Sequence, residues 1–154
     1  MQQKSSTITI NKKAHFDYYI EDEYTAGLAL LGWEVKSLRF NKVNITDAHV
    51  IIKNGEAFLL GAQIQPLPTV LAYLFPDQAR TRKLLLKRRE INRLIGSIER
   101  DGYTVVPLKL FWHKNHVKIT IALAKGKKTH DKRDNIKQRQ WERDRSKILK
   151  QRNL

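Results

Sequence analysis

Three groups of Lys, Arg, Asn, Ser and His residues in this chain have the types and spacing that bind phosphates and nucleobases. The groups are Asn11-Lys12-Lys13-Ala14-His15, Glu34-Val35-Lys36-Ser37-Leu38-Arg39 followed by Lys42-Val43-Asn44, and Lys125-Gly126-Lys127-Lys128-Thr129-His130-Asp131-Lys132-Arg133. Lys and Arg bind phosphate oxygens, whereas Asn, Ser and His reach sugar and base edges or stack on exposed bases. Each group alone could equally be a solvated helix face, but three groups in one small protein favour a nucleic-acid partner.

Residues that could carry catalysis are sparse. The chain has no Cys, no Gly-x-Ser-x-Gly sequence and no glycine-rich phosphate loop, so thiolate chemistry and two common catalytic motifs are excluded. His113 and His116 lie across a predicted turn without a nearby carboxylate, which favours exposed turn residues over a metal site. A divalent-metal nuclease built from Glu21, Glu23 and Glu34 stays open as an alternative. Otherwise we expect no enzymatic activity, no metal and no cofactor.

The charge balance predicts a polyanionic partner. The 154 residues include 30 Lys and Arg against 15 Asp and Glu, a formal net charge of +15. Residues 125–154 hold twelve Lys and Arg and four Asp and Glu, hence +8, which leaves +7 for residues 1–124. Such a field attracts phosphate-bearing partners, and the release of counterions makes their binding strongly salt-dependent.

The sequence contains no signal for export or membrane insertion. The segment Met1-Gln2-Gln3-Lys4-Ser5-Ser6 lacks the apolar run of a signal peptide, and no apolar stretch approaches the roughly 20 residues of a membrane helix. The lack of Cys suits a reducing compartment. We therefore expect a cytoplasmic protein that does not associate with a membrane.

We expect the chain to divide into a nucleic-acid-binding domain at residues 1–124 and a basic tail at residues 125–154. The apolar residues of the tail after residue 125 are few, namely Ile136, Trp141, Ile148, Leu149 and Leu154. They cannot bury a core that offsets the entropy of ordering this segment in water. We expect the tail to be disordered alone and to become helical against a partner. On such a helix Trp141 and Ile148, seven residues apart, share one face.

Two hairpins are the clearest local signals in the sequence. Asn54-Gly55 is a preferred two-residue turn, and it lies between β-rich runs at 48–53 and 56–60. The second hairpin consists of Tyr103–Trp112 and Val117–Ala124 around Lys114-Asn115. Two further strands are predicted, a short one at Ile8 to Ile10 and a long one from Phe16 to Leu31 with a bend or bulge at Gly27.

Helices are predicted in two places between these strands. Trp33–Phe40 has apolar residues on one side, and Asn41 can close this helix in the left-handed conformation. Gln78–Arg100 is amphipathic but too apolar at its centre for one helix. We expect a short helix, a break near Leu86-Lys87, and a longer helix that ends at Asp101-Gly102.

These elements predict a mainly β fold with inserted α-helices. About six strands in antiparallel hairpins suit a closed or partly open barrel of the oligonucleotide-binding kind, because closure removes the sheet edges. About three short helices and the basic C-terminal tail complete the prediction. Barrels of this kind bind nucleic acid through a basic and aromatic face.

Seven segments of the chain occur in the order in which they are found in one known family. They are Asn11-Lys12-Lys13-Ala14, Asp17-Tyr18-Tyr19-Ile20-Glu21, Ala26-Gly27-Leu28, Gly32-Trp33-Glu34-Val35-Lys36-Ser37-Leu38-Arg39, Lys42-Val43-Asn44-Ile45, Arg82-Lys83-Leu84-Leu85-Leu86 and Gly126-Lys127-Lys128-Thr129-His130-Asp131-Lys132-Arg133. Through them the chain resembles the small protein B family, bacterial proteins that bind transfer-messenger RNA (tmRNA). Thr25 and Lys87 depart from the family pattern, so the resemblance assigns no RNA contact to either position.

The resemblance implies a role in trans-translation, the rescue of stalled ribosomes. The protein would bind the tRNA-like domain of tmRNA, deliver it to the ribosome and occupy the decoding site of the small subunit in place of an anticodon arm. The tail would then fold as a helix in the vacant mRNA channel, against small-subunit rRNA. Elongation factor Tu and alanyl-tRNA synthetase would be indirect partners through tmRNA, and the protein would be a monomer.

The resemblance also implies which residues act. For tmRNA binding these are Asn11, Lys12, Lys13, Glu34, Lys36, Ser37, Arg39, Lys42 and Asn44. For the decoding centre and mRNA channel they are Lys127, Lys128, His130, Asp131, Lys132, Arg133, Trp141, Ile148 and Leu149, with His130 stacked on a ribosomal base. Two alternatives stay open, a general single-strand binder or ribosomal protein on the same barrel, and the nuclease described above.

Overall fold

Nine strands and four helices make up the computed structural model, which describes residues 6–70 and 76–152. The strands are β1 (Ser6–Ile10), β2 (Tyr18–Leu28), β3 (Val43–Asn44), β4 (His49–Lys53), β5 (Glu56–Leu60), β6 (Gln63–Ile64), β7 (Arg82–Leu85), β8 (Thr104–His113) and β9 (His116–Gly126). The helices are α1 (Lys12–Asp17), α2 (Gly32–Arg39), α3 (Arg88–Asp101) and α4 (Thr129–Arg152). The predicted fold class, mainly β with inserted helices, is confirmed.

Six of the strands close into a ring. Each strand is antiparallel to its neighbours in the order β8, β4, β5, β7, β2, β9 and back to β8. Closure is uneven, since β4 meets β8 only at the pair Val50–Val105 whereas β2 and β9 pair along most of their length. Strand β1 extends the sheet on β8, and β3 pairs with β6 in a separate two-stranded sheet. The predicted barrel is therefore present in a partly open form.

Left-handed residues form the predicted turns. Asn54 and Gly55 have φ angles of 55° and 73°, and Lys114 and Asn115 have φ angles of 48° and 64°. Two such residues in succession let a tight turn follow the twist of the flanking strands. Asn41 closes α2 with φ 56°, as predicted. Both hairpins and the end of α2 are thus confirmed.

The short helix predicted in the first part of the 78–100 region is wrong, because residues 82–85 form β7. Arg82 and Leu84 point into the barrel while Lys83 and Leu85 are exposed, which is the two-residue period of a strand. The strand pairs with β5 on one side and with β2 on the other. The conformation of residues 82–85 is decided by pairing with strands on both sides. A local sequence pattern does not contain that information.

The longer helix predicted after the break is confirmed as α3. It begins after Lys87, whose N–H donates to Oε1 of Glu90 at 3.1 Å, and it ends at Gly102 with φ 70°. Ile91 and Leu94 are its buried residues, and Leu94 joins the core of the barrel. This core also contains Leu38, Ile45, Leu59, Leu84, Ile119 and Ile121.

A helix, α1, occupies positions just before the long strand, so the strand predicted from Phe16 begins at Tyr18 instead. Asn11 caps this helix, since its Oδ1 accepts a hydrogen bond from the N–H of Ala14 at 3.1 Å. The cap changes the direction of the chain between β1 and β2. Helix α1 consequently lies against β8 and carries two of the predicted RNA-binding lysines.

The irregularity in β2 lies between Ile20 and Glu23, where its pairing with β9 shifts, and not at Gly27 as predicted. Gly27 is regularly paired with both neighbouring strands. A Cβ at this position would come within 3.3 Å of the Leu85 side chain. Gly27 therefore lets the Leu85 side chain of β7 pack closely against β2, and it does not form a bulge.

Candidate nucleic-acid interface

Asn11 joins the first two basic groups from inside the protein. Only 1% of its surface is exposed, and its Nδ2 donates to the carbonyl oxygens of Ile45 at 3.2 Å and Pro107 at 3.0 Å. Its Oδ1 is occupied by the cap of α1. All the hydrogen-bonding groups of this side chain are therefore used within the protein, and α1 is tied to the segment after Asn44.

Lys12 and Lys13 project from α1 into solvent. Lys13 Nζ lies 3.0 Å from Oδ1 of Asp47, and both side chains are mostly exposed. The hydrogen bond and the negative charge of Asp47 raise the pKa of Lys13 above its ordinary value, so the amine is cationic at neutral pH. An exposed ion pair of this kind contributes little to stability, so Lys13 can leave Asp47 and bind a phosphate instead.

Helix α2 presents an exposed basic side and a buried polar side. Lys36 and Arg39 are exposed, as are Lys42 and Asn44 just after the helix. Glu34 and Ser37 are fully buried, so their side chains do not reach the surface. The Ser37 carbonyl accepts from the N–H groups of Phe40 and Lys42, both at 3.1 Å. These bonds close the helix and set where Lys42 emerges.

Glu34 is the acceptor of a buried network that the sequence did not reveal. Its Oε2 accepts from Arg82 Nε at 2.5 Å, and its Oε1 accepts from Arg80 Nη2 at 2.6 Å and from the Leu31 N–H at 2.7 Å. Burial alone would raise the pKa of Glu34, but the hydrogen bonds from Arg80, Leu31 and Arg82 outweigh burial and lower it. The carboxylate is therefore ionised and committed to holding α2 on β7.

Arg82 extends this network across the barrel end. The guanidinium is fully buried and also donates to the carbonyl oxygens of Ala62, Arg80 and Gln78, at 2.9, 2.9 and 3.1 Å. Burial lowers the pKa of Arg82, although the Glu34 carboxylate opposes that effect. Loss of either partner from a buried ion pair of this kind destabilises the protein, because the other charge stays buried without a counterion.

Phe40 is a surface aromatic that the sequence analysis did not assign to the interface. It is 65% exposed at the end of α2, between Arg39 and Lys42. An exposed aromatic face among cations is the arrangement on which single bases stack. The signal was present in the sequence as an aromatic residue inside a basic group.

The base of the tail is bound to the body by what we name the tail joint: Asp17, Tyr19, Lys127, Asp131 and Lys132. The Lys127 N–H donates to the Asp17 carbonyl at 2.8 Å, and Lys127 Nζ lies 5.2 Å from the centre of the Tyr19 ring. Lys132 Nζ lies 3.1 Å from Oδ1 of Asp17. Burial raises the pKa of the Tyr19 phenol, and the nearby Asp131 carboxylate adds to that rise. The first turn of α4 is thus held against α1 and β2.

Other members of the tail motif are exposed at the start of α4. Lys128 precedes the helix, and its N–H donates to Oδ2 of Asp131 at 3.3 Å, a capping bond. His130 is 70% exposed, with Nε2 3.0 Å from Oδ1 of Asp131. Arg133 is also exposed. These side chains are positioned by the joint but remain open to a partner.

Further along α4 the apolar residues face solvent. Ile136, Trp141 and Ile148 are 53%, 60% and 53% exposed, and Arg145 lies 5.5 Å from the Trp141 ring. Leu149 belongs to the helix, but its side chain lies outside the part that the structure describes. In residues 6–70 and 76–152, no helix is both long enough and apolar enough to cross a membrane.

The carboxylates considered for a nuclease do not form one site. Glu34 is enclosed with two arginines, whereas Glu21 and Glu23 are exposed on β2. Oε2 of Glu21 accepts from the Tyr103 hydroxyl at 2.5 Å, and this bond raises the pKa of Tyr103 to about 12. Among the residues that the structure describes, no three acidic or His side chains are placed to hold a metal ion.

The fold and these basic surfaces define a small β-barrel protein of the nucleic-acid-binding class, with a cationic helical extension. Its sequence matches the model of the SmpB protein family over residues 8–151. The chain therefore belongs to the SmpB family.

Curated relatives and a solved structure agree with this membership. The SsrA-binding protein of the Dugway strain of Coxiella burnetii is 58% identical over 144 residues, which cover 94% of this chain and 91% of the relative. The SsrA-binding protein of the Nine Mile phase I strain is 57% identical with the same coverage. A solved structure described as "tmRNA-SmpB: a journey to the center of the bacterial ribosome" has a TM-score of 0.65 and 41% identity, covering 79% of this chain and 85% of that chain.

Proposed function

We propose that this protein binds tmRNA and acts with it in the rescue of stalled bacterial ribosomes by trans-translation. Membership of the SmpB family carries this proposal, because relatives 58% identical to the chain are named SsrA-binding proteins. The similar solved structure is named for tmRNA, SmpB and the bacterial ribosome. The net charge of +15 supplies the attraction that an RNA partner requires.

The tmRNA surface is formed by exposed side chains on α1, α2 and the segment that follows α2. Lys12, Lys13, Lys36, Arg39 and Lys42 supply cations, and Asn44 supplies an amide; these are the residues proposed to contact the RNA. Phosphate contacts fix the position of the RNA, and the amide contributes to recognition of bases. A folded tRNA-like domain presents such phosphates at fixed positions, so a rigid surface suits it.

Asn11, Glu34 and Ser37 support the same interface as buried residues and do not contact the RNA themselves. Their side chains are buried, and those of Asn11 and Glu34 are hydrogen-bonded inside the protein. Asn11 ties α1 to Ile45, Glu34 holds α2 on β7, and the backbone carbonyl of Ser37 accepts from the Lys42 N–H. We therefore expect their substitution to weaken RNA binding through displacement of the exposed lysines and Asn44.

The tail is proposed to act on the ribosome rather than on tmRNA. Helix α4 has 24 residues and would be about 36 Å long, enough to follow a channel for several nucleotides. Lys127, Lys128, Asp131, Lys132 and Arg133 would engage the decoding centre, with His130 stacked on a base. Trp141, Ile148 and Leu149 would lie on the channel wall. The path is open only where mRNA is absent, which makes the tail a sensor of stalling.

The other functional expectations are part of the same proposal. The protein acts as an adaptor without catalysis or cofactor, and as a cytoplasmic monomer. Elongation factor Tu and alanyl-tRNA synthetase reach it only through tmRNA. Beyond its first turn, α4 has exposed apolar residues and few contacts with the rest of the chain. We expect this part of the helix to be unstable in the free protein and to be stabilised on the ribosome.

The salt dependence of RNA binding tests the proposed tmRNA surface. Equilibrium binding of the full chain to the tRNA-like domain of tmRNA is measured over a range of salt, for the unaltered protein, Lys36→Ala and Lys53→Ala. Lys53, exposed on the β4–β5 hairpin away from α2, is the matched control. Lys36→Ala should weaken binding and reduce the slope of log K against log salt by about 1. Equal slopes for the two variants, or equal binding of unstructured RNA, would refute the assignment.

A further inference from the structure

Beside the basic surface, the fold builds a pocket lined mainly by amide side chains. The pocket has a volume of about 270 Å³ and is lined by Asn41, Lys42, Val43, Asn44, Gln63, Gln65 and Gln78, which we name the amide pocket. Lys42 is its one charged residue, and no acidic side chain lines it. An amide-rich site with a single charged residue is unusual in a protein of net charge +15, and it calls for a ligand that is more than a phosphate.

Backbone hydrogen bonds hold the three segments of the pocket together. Strands β3 and β6 pair Asn44 with Gln63. The Gln65 N–H donates to the carbonyl of Lys42 at 3.0 Å, and the Ile64 N–H donates to the carbonyl of Gln78 at 3.0 Å. The pocket walls are therefore set by the fold before any ligand arrives, which reduces the entropy lost on binding.

The buried network reaches this pocket. Arg82 Nη2 donates to the Gln78 carbonyl at 3.1 Å, and the same guanidinium is paired with Glu34. The backbone of Gln78 is consequently fixed from two sides, by Arg82 and by β6. This gives Glu34, a fully buried residue, a direct structural link to a surface that can touch RNA.

The side chains that line the pocket are uncommitted. Within the described residues, the amides of Asn41, Gln63, Gln65 and Gln78 make no hydrogen bond to the protein, and all four residues are exposed. Asn44 uses its Oδ1 to accept from the Thr46 N–H at 2.8 Å, which leaves its NH2 group available. Each amide carries both donors and an acceptor. Together they match the mixed donor and acceptor edge of a nucleobase.

We propose that the amide pocket binds one unstacked nucleobase of RNA, with Lys42 on the phosphate of the same nucleotide. Amides that pair with a base edge confer sequence recognition, whereas lysines confer affinity without recognition. The volume, just below the usual range of small-molecule sites, suits one base. The identity of the RNA rests on the proposed function, but the chemistry of the pocket does not.

Side-chain NMR signals test the pocket without tmRNA. Uniformly 15N-labelled full chain is titrated with a single-stranded five-nucleotide RNA of mixed sequence and, separately, with an abasic chain of the same length. The RNA should shift the side-chain NH2 signals of Gln63, Gln65 and Gln78, and the abasic chain should leave them in place. Equal shifts with both chains would mean a phosphate contact only and would overturn the proposal, as would no shift with either.

Binding to tmRNA tests what the pocket contributes to the function. The double variant Gln63→Ala/Gln78→Ala should bind the tRNA-like domain about tenfold more weakly, with the salt slope of the unaltered protein, because no phosphate contact is lost. Lys42→Ala should instead lower the slope by about 1. Gln138→Ala, an exposed glutamine of α4, is the control and should change neither quantity.

Chemical probing of the RNA supplies the final readout. The unaltered protein should protect the Watson–Crick edge of one nucleotide that the double variant leaves reactive, while the rest of the footprint is kept. An identical footprint and affinity for both proteins would refute the pocket. If the unaltered chain failed to bind the tRNA-like domain at all, the proposed function would fall, and the NMR titration would still decide the pocket.

Discussion

Replacement of Glu34 by Gln removes the one carboxylate of the buried network with almost no change of shape. Glu34 is fully buried and accepts from Arg82, Arg80 and the Leu31 N–H. In the variant, Gln keeps one oxygen acceptor but turns an NH2 donor towards a guanidinium. Arg82 then remains a buried cation without a counterion. If the guanidinium shifts, its hydrogen bond to the Gln78 carbonyl is lost first.

The size of the effect follows from this loss. Removal of one partner from a buried ion pair costs about 3–5 kcal/mol, and the retained oxygen places Glu34→Gln at the lower end, about 3 kcal/mol. For a chain of 154 residues that is a fall in Tm of about 6–12 °C. RNA binding should weaken as well, because the positions of α2 and Gln78 depend on the pair.

Thermal unfolding followed by circular dichroism measures the loss, and Glu56→Gln is the matched control. Glu56 pairs with Lys83 at 3.1 Å, but both side chains are about half exposed, so this substitution should cost less than about 1 kcal/mol. A third variant, Glu34→Leu/Arg82→Met, replaces both charges by apolar groups and should regain much of the stability while RNA binding stays weak. Equal Tm values for Glu34→Gln and Glu56→Gln would refute the reasoning.

The pH dependence of stability adds an independent check. The folded-state pKa of Glu34 lies below its ordinary value, so its contribution is present at neutral pH and is lost as pH falls through the lowered pKa. The difference in free energy of unfolding between the unaltered protein and Glu34→Gln should therefore be full at pH 7 and shrink in acid. A difference that stays constant down to pH 3 would show that the carboxylate charge is not what stabilises the network.

Three further substitutions test other parts of the structure. Asn11→Ala removes three buried hydrogen bonds and should cost about 2–4 kcal/mol by urea unfolding, and a loss below 1 kcal/mol would contradict its buried role. Phe40→Ala, at an exposed position, should leave Tm unchanged but weaken tmRNA binding by about 1–3 kcal/mol if a base stacks there, and unchanged affinity would remove Phe40 from the interface. Asp17→Asn should loosen the tail joint and broaden the distribution of distances between a spin label on the barrel and one on α4. The labels can be attached to introduced Cys residues because the chain has no Cys of its own. An unchanged distance distribution would show that the Lys132 contact does not hold the helix.

The sequence predicted best what short-range chemistry decides. Asn54-Gly55 and Lys114-Asn115 form turns because their backbones adopt positive φ, which neighbouring residues do not have to impose. Gly102 ends α3 for the same reason. These signals gave both hairpins, and with them most of the barrel.

The elements that were missed depend on distant partners. Arg82 faces the interior of the barrel, where Glu34, 48 positions away, neutralises it. Because a local pattern does not contain that partner, the basic and leucine-rich segment favours a helix in the sequence. Helix α1 depends on Asn11, whose other partners are Ile45 and Pro107. An Asn three residues before Ala14 was nonetheless a usable capping signal.

Burial separates the candidate site residues in a way that residue type could not. Asn11, Glu34 and Ser37 are as polar as Asn44, yet only Asn44 is exposed. The resemblance to a family gave positions, and the structure divides them into surface groups and buried supports. The glutamines of the amide pocket were invisible in sequence because they come from segments that meet only through β3, β6 and Arg82.

The central claim is that the body binds tmRNA while the tail acts separately on the ribosome. The most direct measurement uses the full chain with Asp131, Lys132 and Arg133 all replaced by Ala, assayed for tmRNA binding and for peptide tagging on ribosomes stalled at the end of a truncated mRNA. We predict unchanged affinity for tmRNA and no tagging. Loss of tmRNA binding in this variant, or tagging at the normal rate, would contradict the account.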